Sequence, residues 1–176
     1  MVGEESFHPD TRALLVYGRA LAGGAPPPEK GRADHVLDRL FVIERMKDGR
    51  WPVRTFGAEL TAIFGRDWRE QDFAALWLPS DRKLVSALID ACGDAGEPAI
   101  VRILAETGGQ ARLGAEILFT PLRIEPHFGE RYLALFQPLG GEAFVKGETI
   151  VRLRAASLHP PQAKAKAAMR LVVVND

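Results

Sequence analysis

Few side chains in this sequence have the types and spacing that catalysis or metal binding requires. The histidines are widely scattered, and Cys92 is the single cysteine. A zinc site needs clustered ligands, and a nucleophile needs a base beside it. No GxSxG, HExxH or CxxC motif is present, and the glycine pairs at 23–24 and 108–109 lack phosphate-loop spacing. We therefore expect no metal site and no enzymatic activity.

Composition narrows the class of protein further. The 176 residues are 47% hydrophobic and 26% charged, with a formal net charge of +0, which is typical of a globular domain. Zero net charge argues against a nucleic-acid partner. The acidic N-terminus lacks the apolar segment of a secretory signal, and no apolar run approaches the roughly 20 residues that cross a bilayer. We expect a cytoplasmic protein without membrane insertion.

The elements that must position any site form an α+β pattern. Residues 8–22 are predicted to form an amphipathic helix, and a proline-rich linker follows, so residues 1–32 stand apart from a core at 33–140. The core begins with two strands joined by an Asp48-Gly49 turn, and Pro52 puts the second at a sheet edge. Helices at 58–64 and 79–92 and three antiparallel strands follow.

Two further expectations concern side chains outside this outline. In the second core helix, Leu84, Leu88 and Cys92 are predicted to lie on the buried face with Val85 and Ile89. Residues 141–176 are predicted to be a C-terminal extension. Within it, residues 149–156 fit a strand or a short helix, and residues 162–170 are basic and prone to form a helix.

Several short motifs, taken in order, resemble those of a PAS-like family of single-domain proteins common in alphaproteobacteria. The motif residues are Tyr17, Arg19 and Gly23, then Arg54 and Gly57, then Gly65, Arg66 and Asp67, then Leu76-Trp77, and last Thr120-Pro121-Leu122. The resemblance implies a PAS-like fold, with a five-stranded antiparallel sheet, a helical cluster on one face and an N-terminal helix. It extends to members of the family that regulate motility.

The same resemblance bears on cofactors. Haem-binding PAS proteins take an axial histidine from the long helix before the third strand, and residues 80–92 contain none. Flavin photosensors place a reactive cysteine shortly after a Gly-Arg pair, where this chain has Trp68. From these two positions we expect no cofactor, with haem and covalent flavin disfavoured.

The resemblance also suggests roles for particular side chains. Arg54, Arg66 and Asp67 are expected to form a salt bridge or a hydrogen bond that holds the helices to the sheet, rather than to bind a ligand, with Asp67 or a nearby carbonyl as the partner. Gly57 and Gly65 are expected to permit tight turns. A ligand cavity between sheet and helices would be lined by Phe56, Phe64, Trp77, Leu88, Val101, Ile103, Leu113, Ile117 and Phe119. The alternative, which we favour, is that these side chains simply fill the core.

The function expected from the sequence is therefore regulatory. The chain is predicted to signal by protein–protein interaction, as a homodimer through Leu14, Tyr17 and Leu21 of the N-terminal helix. These residues could instead cap the protein's own sheet. The alternative function is a sensor that binds an uncharged small molecule in the cavity.

Overall fold

The chain folds into one antiparallel sheet with short helices on its inner face and an N-terminal helix on its outer face. The structure is a computed structural model that describes residues 3–22, 34–122 and 130–162. The predicted proline linker and basic tail lie outside these residues. In chain order the elements are the 3₁₀ helix Glu4–Ser6, α1 (Pro9–Ala22), the 3₁₀ helix Asp34–Arg39, β1 (Leu40–Arg45), β2 (Val53–Phe56), α2 (Ala58–Phe64), the 3₁₀ helix Phe73–Leu76, α3 (Pro79–Ala95), β3 (Ala99–Thr107), β4 (Arg112–Leu122), β5 (Glu130–Pro138), α4 (Glu142–Val145) and β6 (Ile150–His159).

The sheet has six strands in the order β2-β1-β5-β4-β3-β6, so the predicted count of five was wrong. The added strand, β6, lies in the segment predicted as a C-terminal extension and pairs along the length of β3. Its register shifts twice, beside Arg102 and Glu106, so its side chains do not alternate regularly between buried and exposed. An irregular strand of this kind gives no clear period-two pattern in the sequence.

The first hairpin agrees with its sequence signals. Gly49 adopts φ +84°, and its N–H donates to the Met46 carbonyl across the turn. β2 is an edge strand of the sheet, as Pro52 predicted.

The helices on the inner face are closed by glycines. α2 ends at Gly65, which has φ +73°, and a Cβ built there would lie 2.5 Å from the Glu148 carbonyl oxygen. A side chain at this position is therefore excluded by both backbone conformation and space. α3 likewise ends at Gly96 in the left-handed conformation.

One predicted core residue of α3 is exposed. Leu84 is 53% exposed, whereas Val85, Leu88, Ile89 and Cys92 are buried. Each step of four residues advances about 40° around a helix of 3.6 residues per turn. Two such steps separate Leu84 from Cys92, so the two side chains point about 80° apart. The buried face is centred on the residues at spacings of three and four that begin at Val85.

Helix α1 packs on the outer face of the sheet, which is the position that the alternative of a helix capping its own sheet requires. Leu15 and the preceding Phe7 join Ile100, Leu118 and Leu135 in a second hydrophobic cluster.

The segment before α1 is held to the sheet by a buried charge. Glu116 is fully buried and accepts bonds from Arg102 Nε at 3.2 Å and from the His8 N–H at 3.0 Å. Arg102 also donates to the Ser6 carbonyl at 2.6 Å, and its guanidinium group lies 5.1 Å from the centre of the Phe7 ring. These charge-assisted bonds fix the segment against β3 and β4.

Connections from the helical side lie along both edges of the sheet. Beyond β6, Trp77 forms a parallel bridge with Leu153, and the Ala155 N–H donates to Asp81 Oδ2 at 3.0 Å. Beyond β2, the N–H and carbonyl of Val53 bond Gln71 and Glu70 of the following loop.

Candidate ligand site in the core

The residues predicted to line a cavity come together in one cluster between the sheet and the helices. Eight of them are buried members of this main core, and Phe56 packs against it while half-buried. They lie on β2, α2, α3, β3 and β4, together with Trp77, which ends the 3₁₀ helix. The side chains contact one another, as the filled-core alternative requires.

Aromatic rings form a continuous chain through this cluster. From one end to the other the rings are Trp77, Phe73, Phe41, Phe56, Phe64 and Trp68, with centroids 5.0 to 6.3 Å apart, and Phe136 branches from Phe64 at 5.1 Å. Most contacts are edge-to-face, the arrangement that ring quadrupoles favour. Sequence reasoning missed Phe41, Trp68, Phe73 and Phe136 as site residues, although their aromatic character was the available signal.

Three indole groups of the core have hydrogen-bonding capacity that the protein does not use. The Nε1 atoms of Trp51, Trp68 and Trp77 are buried without a hydrogen-bond partner among the residues that the structure describes. Trp68 and Trp77 stand at the two ends of the aromatic chain. A buried N–H without an acceptor is destabilising, so each such donor calls for an explanation. An acceptor-bearing small molecule in the cluster would supply one.

The cluster carries little charge. Among the described residues, Glu116 is the one buried Asp, Glu, Lys, Arg or His side chain, and it lies on the outer face of the sheet. Burial raises the pKa of the Cys92 thiol to about 12, so this inner-face group stays neutral. The described residues contain no group of three His, Cys, Asp or Glu side chains placed to hold a metal ion.

Within the described residues, Arg54, Arg66 and Asp67 do not pair with one another. Arg54 instead pairs with Glu44 at 2.7 Å and Glu70 at 2.6 Å, which joins β2 to β1 and to the following loop. The hydrogen bond from Arg54 lowers the pKa of Glu44.

Arg66 and Asp67 have other local contacts. The Arg66 guanidinium lies 4.3 Å from the Trp68 ring centre. Asp67 accepts bonds from the N–H and Nε of Arg69, which lower the pKa of Asp67. Gly57 lies where a Cβ would come within 2.2 Å of the Asp38 carbonyl oxygen, so its role is close packing of the backbone.

The three residues predicted as a dimer contact differ in how far they are buried. Leu14 packs against the outer-face cluster, Tyr17 is half-buried, and Leu21 is 38% exposed. The alternative that this helix caps its own sheet accounts for Leu14. A dimer contact through α1 stays a prediction.

Two surface clefts lie outside the predicted site. One, of about 420 Å³, lies between the β1–β2 turn and α3 and contains Trp51 beside charged side chains. The other, of about 310 Å³, is lined in part by Gly93 and Tyr132. Burial raises the pKa of the Tyr132 hydroxyl, so this hydroxyl in the second cleft stays protonated at neutral pH.

Comparison with known proteins identifies the fold. A family model described as PAS domain matches residues 6–137. No curated protein matches the chain. Similar solved structures include a fungal LOV domain photoreceptor, with 17% identity and a TM-score of 0.48 over 70% of this chain and 91% of that one. A LOV protein of Rhodobacter sphaeroides has 15% identity and a TM-score of 0.47 over 60% of this chain and 64% of that one.

A third solved structure corrects the expectation about cofactors. It comes from a study of the light-oxygen-voltage domain mechanism with a flavin analogue, at 12% identity and a TM-score of 0.45 over 59% of this chain and 78% of that one. The expectation of no cofactor is contradicted by these light-oxygen-voltage neighbours. The core contains two unpaired donors, Trp68 Nε1 and Trp77 Nε1, and each matches a ring nitrogen or carbonyl acceptor in chemical type.

Proposed function

Because the chain belongs to the PAS domain family, whose members are in general non-catalytic sensory modules, we propose that it is a signalling protein that senses an uncharged small molecule in its core. The observation that carries this proposal is the pair of unpaired indole donors at the ends of the aromatic chain. The expected ligand is a planar molecule with hydrogen-bond acceptors, since rings surround the site and both free groups donate.

Binding in this site requires the packed rings to move apart. The candidate residues already contact one another, so a ligand must displace side chains and its binding energy is reduced by that reorganisation. Phe56 is the natural point of entry because it is half-buried and lies on the edge strand β2. A ligand-linked movement of these rings would give the sensor two states.

The first test is the native mass spectrum of the purified protein beside its denatured mass. Native mass in excess of a whole multiple of the chain mass identifies a retained ligand. Riboflavin, an uncharged ring with several acceptors, is then titrated as a defined probe and followed by tryptophan fluorescence. The proposal fails if the native mass contains the chain alone and riboflavin does not bind.

Substitutions that remove a single donor sharpen the test. Trp68→Phe and Trp77→Phe keep an aromatic ring but delete the N–H, and each is expected to weaken binding of the retained ligand or of riboflavin by about threefold to tenfold, the effect of one lost hydrogen bond. Trp51→Phe is the matched control, because its N–H is also unpaired but its ring contacts Arg45 outside the aromatic chain. Equal losses in all three variants would contradict the assigned site.

A second candidate function is protein–protein interaction, with homodimerisation through α1. The observation in its favour is that Val16 is 62% exposed and Leu21 38% exposed on this helix. Light scattering of the protein and of a Val16→Glu, Leu21→Glu variant tests it. A native dimer that becomes a monomer supports the contact, and a native monomer rejects it.

The biological process and the cellular location of the protein are predicted from its sequence. Regulation of motility and a cytoplasmic location stay predictions from the sequence. No helix within residues 3–22, 34–122 and 130–162 is long and apolar enough to cross a membrane.

A further inference from the structure

Part of the outer face of the sheet is left open by α1. Where α1 and the segment before it cover the sheet, Glu116, Leu118 and Gln137 are buried. Closer to the β3–β4 turn, Leu104 and Gly114 are only half-buried, and Arg112 is exposed. The face therefore divides into a covered part and an open part.

The open part carries three arginines around one glutamate, and we call it the arginine patch. Glu106 of β3 lies directly opposite Arg112 of β4 and Arg152 of β6, and Arg154 lies opposite Leu104. The nearest nitrogen–oxygen distances from Glu106 to Arg112, Arg152 and Arg154 are 3.6, 3.7 and 3.8 Å. One carboxylate thus faces three cations, which leaves a net charge of +2.

Within the described part of the chain, the guanidinium groups of the patch retain most of their N–H donors. Their distances to Glu106 exceed those of normal N–H···O bonds. The three side chains are 64%, 54% and 51% exposed for Arg112, Arg152 and Arg154. Each guanidinium has five N–H groups in a planar fork that matches a carboxylate. The patch is thus a set of available carboxylate binders.

Between the arginines the surface of the sheet, which we call the floor of the patch, is apolar and leaves space for a side chain of a partner. Leu104 faces Gly114 across the strands, and a Cβ built on Gly114 meets nothing within 4 Å. Leu139, whose N–H bonds the Gly114 carbonyl, is 48% exposed at the end of this floor. Small apolar side chains of a partner can therefore pack between the arginines.

We infer that the arginine patch docks an acidic segment of a partner protein, with carboxylates on Arg112, Arg152 and Arg154 and an apolar side chain over Gly114. Charge complementarity and the apolar floor carry the inference. A nucleic acid fits less well, because Glu106 lies among the arginines and a phosphate backbone gains nothing from the floor. The site is on the opposite face from the proposed ligand core and does not depend on that function.

The test uses a fluorescent peptide of alternating glutamate and leucine and measures its dissociation constant by anisotropy. Replacing all three arginines (Arg112→Gln, Arg152→Gln, Arg154→Gln) is expected to weaken binding about tenfold, the combined effect of three exposed ion pairs. Glu106→Gln is expected to tighten binding about twofold, because it removes the repelling carboxylate. If Glu106 only stabilised the fold, Glu106→Gln would not tighten peptide binding.

A matched control removes three positive charges outside the patch. Arg50→Gln with Arg69→Gln and Arg82→Gln replaces three exposed arginines that lie elsewhere, and it should leave peptide binding unchanged. A short DNA duplex of equal charge is titrated beside the peptide. The inference is overturned if the triple variant binds like the native protein, if the control loses as much, or if the duplex binds more tightly than the peptide. Riboflavin binding or retained mass, measured on the same triple variant, reports the core separately.

Discussion

The bond between Arg102 and the buried Glu116 allows a quantitative prediction about the N-terminal segment. Arg102→Met removes the cation beside a carboxylate that has no exposure to solvent. Breaking a fully buried pair in this way costs about 3–5 kcal/mol. The Arg102 side chain is 27% exposed, so the pair is partly screened and we expect a loss of about 2–3 kcal/mol in the free energy of unfolding.

A double-mutant cycle separates the pair from its surroundings. Glu116→Leu with Arg102→Met replaces both charges by apolar groups of similar size, and the double variant should recover at least about 1 kcal/mol of the loss of Arg102→Met alone. Stability is measured by urea denaturation. Hydrogen exchange should show faster exchange in residues 4–12 of the single variant, because the Ser6 and His8 contacts are released. A loss below about 0.5 kcal/mol, or strictly additive effects, would refute the reasoning.

Three other predictions address single residues. Burial and the nearby Arg102 lower the pKa of His159, so as the pH falls the unfolded chain takes up a proton at this residue before the folded protein does. The free energy of unfolding should therefore decrease as the pH drops below about 6.5. His159→Gln should remove this pH dependence from the midpoint of urea denaturation. The Cys92 thiol, whose pKa burial raises to about 12, should react with a disulfide reagent at pH 8 only after denaturation, and rapid reaction of the native protein would contradict its burial. Gly65→Ala should lower the free energy of unfolding by about 2 kcal/mol or more, because φ is +73° and a carbonyl oxygen lies 2.5 Å from the new Cβ. Gly114→Ala is the control, and it should change the melting temperature little because nothing lies within 4 Å of the new Cβ. Equal effects of the two substitutions would reject the steric account.

The sequence predicted those parts of the fold that depend on neighbouring residues. α2 follows from an apolar stretch closed by Gly65, and the first hairpin follows from its Asp48-Gly49 turn. Leu84 was placed wrongly because a spacing of four was treated as a straight line along the helix. Each of these features, including the buried face of α3, depends on residues that are close together in the sequence.

The parts that the sequence left undecided, such as β6, or did not predict depend on residues distant in sequence. β6 forms by pairing with β3, and its two register shifts remove the alternation that would mark a strand. The partners of Arg54, which are Glu44 and Glu70, follow from strand register rather than from spacing. The nine residues predicted to line a cavity do belong to or pack against the main core, because apolar alternation is visible in the sequence, but four rings of the aromatic chain and the unpaired indole donors depend on the final packing.

The connections along both edges of the sheet have a consequence for self-association. A free edge strand presents unpaired N–H and carbonyl groups that another chain can extend into a fibre. Here the loop after α2 bonds the outer side of Val53, while Trp77 and Asp81 occupy the outer side of β6. Addition of a strand at these positions would first have to break native hydrogen bonds. Growth of an edge-to-edge polymer is therefore opposed at both ends of the sheet, and copies of this protein that associate are directed to do so through their faces.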